Sequence, residues 1–224
     1  MILEKFSSNF KNLILGRSSR NIADSFYFIA LSIGLIKVYN IEAGQLSLFT
    51  LIGFIPNLLA VFYGSFVNKI QRDKVWLVTF QVLQLFIILI TILCLRYRFE
   101  VFYLYIFNFL FSLSTNLLNT LQMKIVPETL ENDEETINKS IDVQYMASNV
   151  LDIISNLFAS LLLGVLSYFV VFNMSIPFFV AAIYFMMKIR LNIPDKKKSD
   201  GMSENIESES ESTFQLLDTI SAFR

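Results

Sequence analysis

The sequence has no histidine, one cysteine and four prolines among its 224 residues, and only 17% of it is charged. Each shortage removes chemistry. Without histidine there is no Ser-His-Asp hydrolysis, no histidine-ligated zinc or haem and no histidine proton relay. Cys94 alone closes no internal disulfide and builds no cysteine metal cluster. Set in an apolar run, it reads as lipid- or core-facing filler. No apolar run carries a catalytic pair of carboxylates, so no catalytic residues, metal or cofactor are expected, and the chain is not read as an enzyme. The basic residues are too dispersed for nucleic acid. The one basic run, Lys196-Lys197-Lys198, follows the last apolar stretch and reads as a topology anchor.

What the sequence does have is apolar length. Hydrophobic residues make up 54% of it, with 23 phenylalanines. Residues 46–67, 75–95, 101–123 and 153–187 contain no Asp, Glu, Lys or Arg. About 20 such residues cross a hydrocarbon core of roughly 30 Å, so the expectation is an all-α integral membrane protein whose first partner is the lipid bilayer. The run 153–187 would be about 52 Å long as one helix, too long for a single span. Extended back to Ile141, it holds two helices, near 143–164 and 168–189, with Asp152 inside the first. Residues 13–37 form a first span whose polar face bears Arg17, Arg20 and Asp24. A signal peptide is the alternative there, but no small-x-small cleavage site follows, and Asp24 sits poorly at the start of an apolar core.

Six spans place both termini on one side, and the basic residues test that count. Of 18 Lys and Arg, only Lys37, Arg96 and Arg98 then fall on the opposite side. By the positive-inside rule the basic side is cytoplasmic, which gives a multi-pass protein of the cell membrane with both termini inside. The links 38–45, 96–100 and 165–167 are then short and external. The link 68–74 is basic and internal, and 124–140 is the longest internal link, carrying Glu128, Glu131, Asp133, Glu134 and Glu135. Residues 1–190 form the six-helix bundle. Residues 191–224 are a polar cytoplasmic tail with the low-complexity stretch SENIESESES, too polar to fold alone.

Polar residues recur at three- and four-residue spacing within the spans, which puts them on single helix faces. Thr50, Gly53, Asn57 and Gly64 share a face of the second span, and Gln81, Gln84 and Thr91 of the third. Asn108, Ser112, Thr115, Asn116 and Asn119 mark the fourth, and Gln144, Ser148, Asp152, Ser155 and Asn156 the fifth. Such faces are costly against lipid and point at protein or water. They act either as hydrogen-bonding glue between helices or as the lining of a cavity for a small-molecule substrate. The candidate cavity residues are Asp24, Asn57, Gln84, Asn116, Asn119 and Asp152. Asp24 either pairs with Arg20 or binds a proton or cationic group. Pro56 and Pro177 predict kinks in the second and sixth spans, the first near Phe54–Pro56.

The link Gly64-Ser65-Phe66-Val67-Asn68-Lys69-Ile70-Gln71-Arg72-Asp73-Lys74 resembles the loop motif of the major facilitator superfamily. Gly64, Lys69, Arg72 and Lys74 match, whereas Asn68 stands where that family usually has aspartate. The opening LILGRSSRNIADSFYFIAL is similar to the first span of drug- and macrolide-efflux-type members, with Asp24 at their acidic position, and LNTLQMKIVPE is similar to the same branch. The resemblance covers residues 10–190. It implies a three-plus-three inverted-repeat half-bundle, the N-terminal half of an efflux transporter that works with a second six-helix half. It also implies that Gly64 allows close helix packing and that Gly64, Asn68, Lys69 and Arg72 form a latch for one state. The antiporter motifs of the fourth and fifth spans are absent, so proton antiport is not implied. The alternatives from the residues are a truncated inactive fragment, a membrane subunit, or a six-span permease of an ATP-driven transporter that uses the acidic 124–140 link.

Overall fold

The computed structural model describes residues 7–130 and 134–190; the polar tail expected at 191–224 lies outside the described residues. Every regular element among the described residues is an α-helix: α1 (Ser8–Tyr39), α2 (Ala43–Leu58), α3 (Ala60–Asn68), α4 (Asp73–Tyr97), α5 (Val101–Thr129), α6 (Glu134–Val165) and α7 (Tyr168–Lys188). The starts are set by local side chains. Ser7 accepts the Phe10 N–H at 3.1 Å to cap α1, and Ser167 accepts from Val170 at 3.4 Å to cap α7. Glu42 and Gln45 cap α2 reciprocally. α1 and α4 stop at Asn40 and Arg98, both left-handed with φ of 52°, each returning its N–H to a carbonyl four residues back.

Among the described residues five helices are long and apolar enough to cross a membrane: α1, α4, α5, the Ser148–Val165 part of α6, and α7. Together, α2 and α3 make a sixth if their 55° bend lies within one span. The chain is therefore a membrane-embedded helical bundle. The break falls beyond the expected kink at Phe54–Pro56. α2 continues through Pro56, then tightens: Leu59 N–H bonds the Pro56 carbonyl at 3.1 Å and Phe62 N–H bonds that of Leu59 at 3.0 Å. Pro177 does not break α7, which runs unbroken from Tyr168 to Lys188.

Two boundaries differ from the sequence expectation for one reason. The link expected at 124–140 is mostly helix, because α5 runs on to Thr129 and α6 already begins at Glu134. α1 likewise begins at Ser8 rather than Leu13 and spans 32 residues, about 48 Å. Hydropathy marks the part of a helix that lies in lipid, whereas backbone hydrogen bonding continues into water as long as the residues tolerate it.

Contacts at the helix ends sort the bundle into two faces. At one, Ser7 Oγ donates to the Thr129 carbonyl, and Asn9 and Arg190 exchange hydrogen bonds of 2.8 and 3.0 Å. There too, Lys124 of α5 reaches the α3–α4 turn. At the other, Tyr39 OH donates to the Cys94 carbonyl at 3.2 Å, Tyr105 OH to that of Gln45 at 3.1 Å, and Arg96 lies 5.8 Å from the Phe169 ring. Successive helices thus alternate in direction when α2 and α3 are taken as one crossing.

α1 is the central helix and packs on α7, α6, α5 and α4. Its aromatic residues explain much of the phenylalanine content. Tyr27 stacks on Phe111 of α5 at 4.4 Å and meets Phe172 of α7 edge-on at 5.3 Å, and Phe111 in turn meets Phe179 at 6.0 Å. All four are fully or almost fully buried. Outside this core, a belt of exposed Leu, Ile, Val and Phe faces outward, as lipid contact requires.

Truncating Phe111 to Ala should lower bundle stability by about 2 kcal/mol, because the void remains while lipid already solvates released apolar surface. Phe86→Ala, at a ring 58% exposed on α4, should stay within about 0.5 kcal/mol. Denaturation of the bilayer-reconstituted protein by steric trapping measures both.

Candidate functional site

The antiparallel seam of α1 and α5 organises the polar interior. Arg20 donates to Asn119 Oδ1, and the Phe28 and Phe111 rings lie 5.5 Å apart. These pairs fix the register and put Asp24 level with Thr115. α2 runs parallel to α5, because Asn108 Nδ2 donates to the Phe49 carbonyl at 2.7 Å and Tyr105 OH to that of Gln45. That register puts Asn57 level with Asn116.

A cavity of about 390 Å³ opens between α1, α2 and α5. Phe28 and Phe54 supply apolar wall, and Thr50, Asn57, Asn108, Ser112, Thr115 and Asn116 supply polar groups. The volume falls within the ~300–1,000 Å³ range of small-molecule sites. Gly53 holds the wall close: a Cβ there would sit 2.8 Å from Asn108 Nδ2, the amide that ties α2 to α5. Gln84 lies behind the cavity rather than in it, fully buried and donating to Thr115 Oγ1 at 2.7 Å.

One to two turns along the seam is a charged cluster. Arg20 is 3% exposed; its Nε is 3.8 Å from Asp24 Oδ2, and a further nitrogen bonds Asn119. One buried carboxylate, Asp24, therefore faces the buried guanidinium. Arg17, a turn earlier, donates to Gln144 of α6 and lies 3.9 Å from Met123 Sδ. Asp24 Oδ1 and Arg20 Nη1 are buried with no hydrogen-bond partner among the described residues. The six predicted cavity residues thus divide. Asn57 and Asn116 line the cavity, Gln84 backs it, Asp24 and Asn119 join Arg20, and Asp152 is exposed on α6.

Gly64, Asn68, Lys69 and Arg72, the residues expected to form a latch, lie on α3 and in the turn that leads to α4. Asn68, Lys69 and Arg72 are exposed, and a Cβ on Gly64 would meet nothing within 4 Å, so no close packing depends on that glycine. The turn is held from α5. Lys124 Nζ donates to the carbonyls of Val67 (3.3 Å) and Ile70 (2.7 Å) and pairs with Asp73 Oδ1 at 2.8 Å. An ammonium at the end of α3 offsets its exposed carbonyls and the helix dipole. Lys124 and Asp73 are 51 residues apart, so spacing alone does not pair them. The signal was a lone lysine closing a long apolar run.

The glue and cavity readings of the polar stripes hold at different residues. Gln84 with Thr115, Asn108 with Phe49 and Arg17 with Gln144 bond between helices. Asn116 and Ser32 bond carbonyls of their own helices, at 2.9 and 2.8 Å, so Asn116 presents its amide oxygen to the cavity and Ser32 its hydroxyl. The stripe expected on the fifth span divides likewise. Gln144 and Ser155 are buried, whereas Asp152 and Asn156 are exposed together with Asn149, which the sequence reading left out.

Scanned against protein-family models the chain matches none, and a search of curated proteins finds no match.

Arg20→Gln should destabilise the bundle by about 3–5 kcal/mol, because it leaves the buried Asp24 without a counter-charge. Arg20→Gln with Asp24→Asn should recover at least half of that loss, and a double-mutant cycle on the denaturation free energy checks it.

Proposed function

We propose that the protein is an integral membrane transporter of the major facilitator type. It acts as an N-terminal half with a three-plus-three arrangement, exports a small amphipathic molecule, and works with a second six-helix body. The observation that carries this reading is the cavity of about 390 Å³ lined jointly by aromatic rings and amides, set one turn from an intramembrane aspartate on the same α1–α5 seam. A ligand with an apolar body and a few polar groups fits such a wall, and an acidic residue inside a span is a functional candidate by default. The loop motif at Gly64–Lys74, the alternating helix directions and the concentration of Lys and Arg at one end support the same reading. That end then lies in the cytoplasm and the protein in the cell membrane.

In this mechanism Phe28 and Phe54 take the apolar part of the cargo, and Asn57, Asn108 and Asn116 orient its polar groups. Asp24 supplies the charge that responds to a proton or to a cationic group on the cargo. Arg20 keeps that carboxylate from being isolated in hydrocarbon. The turn held by Lys124 keeps α3 and α4 together as the bundle moves.

Asp24→Asn should reduce efflux of a fluorescent amphipathic dye from cells expressing the protein by about tenfold or more, since the charge response is lost. Asn57→Leu should weaken dye binding about three- to tenfold, the worth of one polar contact, while leaving the bundle folded. Efflux unchanged by Asp24→Asn removes the coupling role from this residue.

A further inference from the structure

A second recess, of about 280 Å³, lies between α4 and α5. Ile87 and Ser114, 3% and 4% exposed, form its floor, and Leu83, Phe86 and Leu110 stand exposed at its rims. It runs from Phe80 and Leu117, at the Lys124 end, to Ile90 and Phe107. Ten residues along each helix make it about 15 Å long, the depth of one leaflet of a hydrocarbon core of roughly 30 Å.

The 3.6-residue period separates this groove from the cavity. Phe107, Leu110, Ser114 and Leu117 face the groove, whereas Asn108, Ser112, Thr115 and Asn116 line the cavity from the opposite face of α5. A second six-helix body closing over the cavity therefore leaves the groove outside. The groove wall does not suit another protein either. Apart from the floor serine it is aliphatic and aromatic, without the small residues and amides that draw helices together in lipid.

The Lys124 end of the groove has a different character. Trp76, 40% exposed and one turn before Phe80, lies 5.4 Å from that ring, and tryptophan favours the headgroup level of a bilayer. Arg72, a turn further on, is exposed. The turn 68–74 and the end of α5 from Lys124 to Thr129 together hold Lys69, Arg72, Lys74 and Lys124 against Asp73 and Glu128. Lys124 is already paired with Asp73, and the surplus charge at this end is positive.

We infer that the α4–α5 groove binds one phospholipid with an acidic headgroup. One acyl chain lies on Ile87 and Ser114 between the two rims, and the headgroup meets Arg72 beside the Trp76 indole. A chain in the recess touches floor and rims at once and so gains more dispersion contacts than one lying on a convex helix face. The basic end adds the attraction of Lys and Arg for anionic lipid. The inference does not rest on transport.

Trp76 is the chain's only tryptophan, so its fluorescence reports on the mouth of the groove. Bilayers of phosphatidylcholine brominated on its chains should quench it. A small fraction of unbrominated phosphatidylglycerol should then restore fluorescence with about fivefold the affinity of unbrominated phosphatidylcholine, the worth of one basic residue near the surface. Arg72→Gln should bring that ratio to about one. Native mass spectrometry in mild detergent should find one phosphatidylglycerol retained per wild-type chain. Ser114→Leu, which fills the floor, should lose it while circular dichroism stays helical. Leu89→Phe, at an exposed position of α4 outside the groove, should keep it. The fluorescence ratio decides on the wild-type protein even if Ser114→Leu does not fold. A wild-type ratio of about one, or a raised ratio that Arg72→Gln leaves unchanged, overturns the inference. So does equal lipid retention by the wild type, Ser114→Leu and Leu89→Phe. Retention of a second polypeptide in place of lipid, released by Ser114→Leu, also overturns it and gives the groove to a protein.

Discussion

A buried guanidinium in the middle of α1 sets the arrangement of the surrounding helices. Hydrocarbon offers Arg20 no hydrogen bonds, so the protein must supply them. Asp24 comes from the next turn of its own helix and Asn119 from α5. The α1–α5 register that brings Arg20 to Asn119 also brings Phe28 to Phe111. The aromatic core and the charged cluster follow from the same alignment. Ion pairs of this kind contribute modestly to net stability because desolvation offsets attraction, yet an unpaired charge at this depth is costly. That asymmetry makes the cluster a strong selector of one packing.

The remaining polar groups divide by whether a neighbouring helix reaches them. Where α4 meets α5, Gln84 and Thr115 satisfy each other; where α2 meets α5, Asn108 takes a backbone carbonyl. Between α1 and α2 no helix fills the gap, and the same residue types become the wall of a cavity. On α6, which rests almost wholly on α1, a further polar row stays open. Glue, cavity wall and exposed row are thus one chemistry in three settings, and the packing geometry chooses among them.

Much of this was legible in the residues. Charge-free runs located the spans, the helix alternation matched the distribution of Lys and Arg, and three- and four-residue spacing put Gln81, Gln84 and Thr91 on a buried face. Helix ends were less legible. The extension of α5 through Lys124–Thr129 and of α6 back to Glu134 lies where hydropathy has already fallen, and hydropathy reports solvent rather than backbone bonding. The site was half legible. Asn57 and Asn116, expected in a cavity, line the one between α1, α2 and α5; the loop residues Gly64, Asn68, Lys69 and Arg72 are exposed or unpacked, and Lys124 and Asp73 hold the turn.

The sequence by itself determined that the chain is a helical membrane protein and which faces of its apolar helices are polar. These follow from local properties, the length of an apolar run and the 3.6-residue period, which act without knowledge of neighbours. Only the tertiary structure decided which polar face meets a partner, which lines a cavity and which remains uncovered. Those outcomes depend on register between helices far apart in the chain, such as Arg20 with Asn119 or Lys124 with Asp73. Register is set by the joint packing of side chains that no single segment contains.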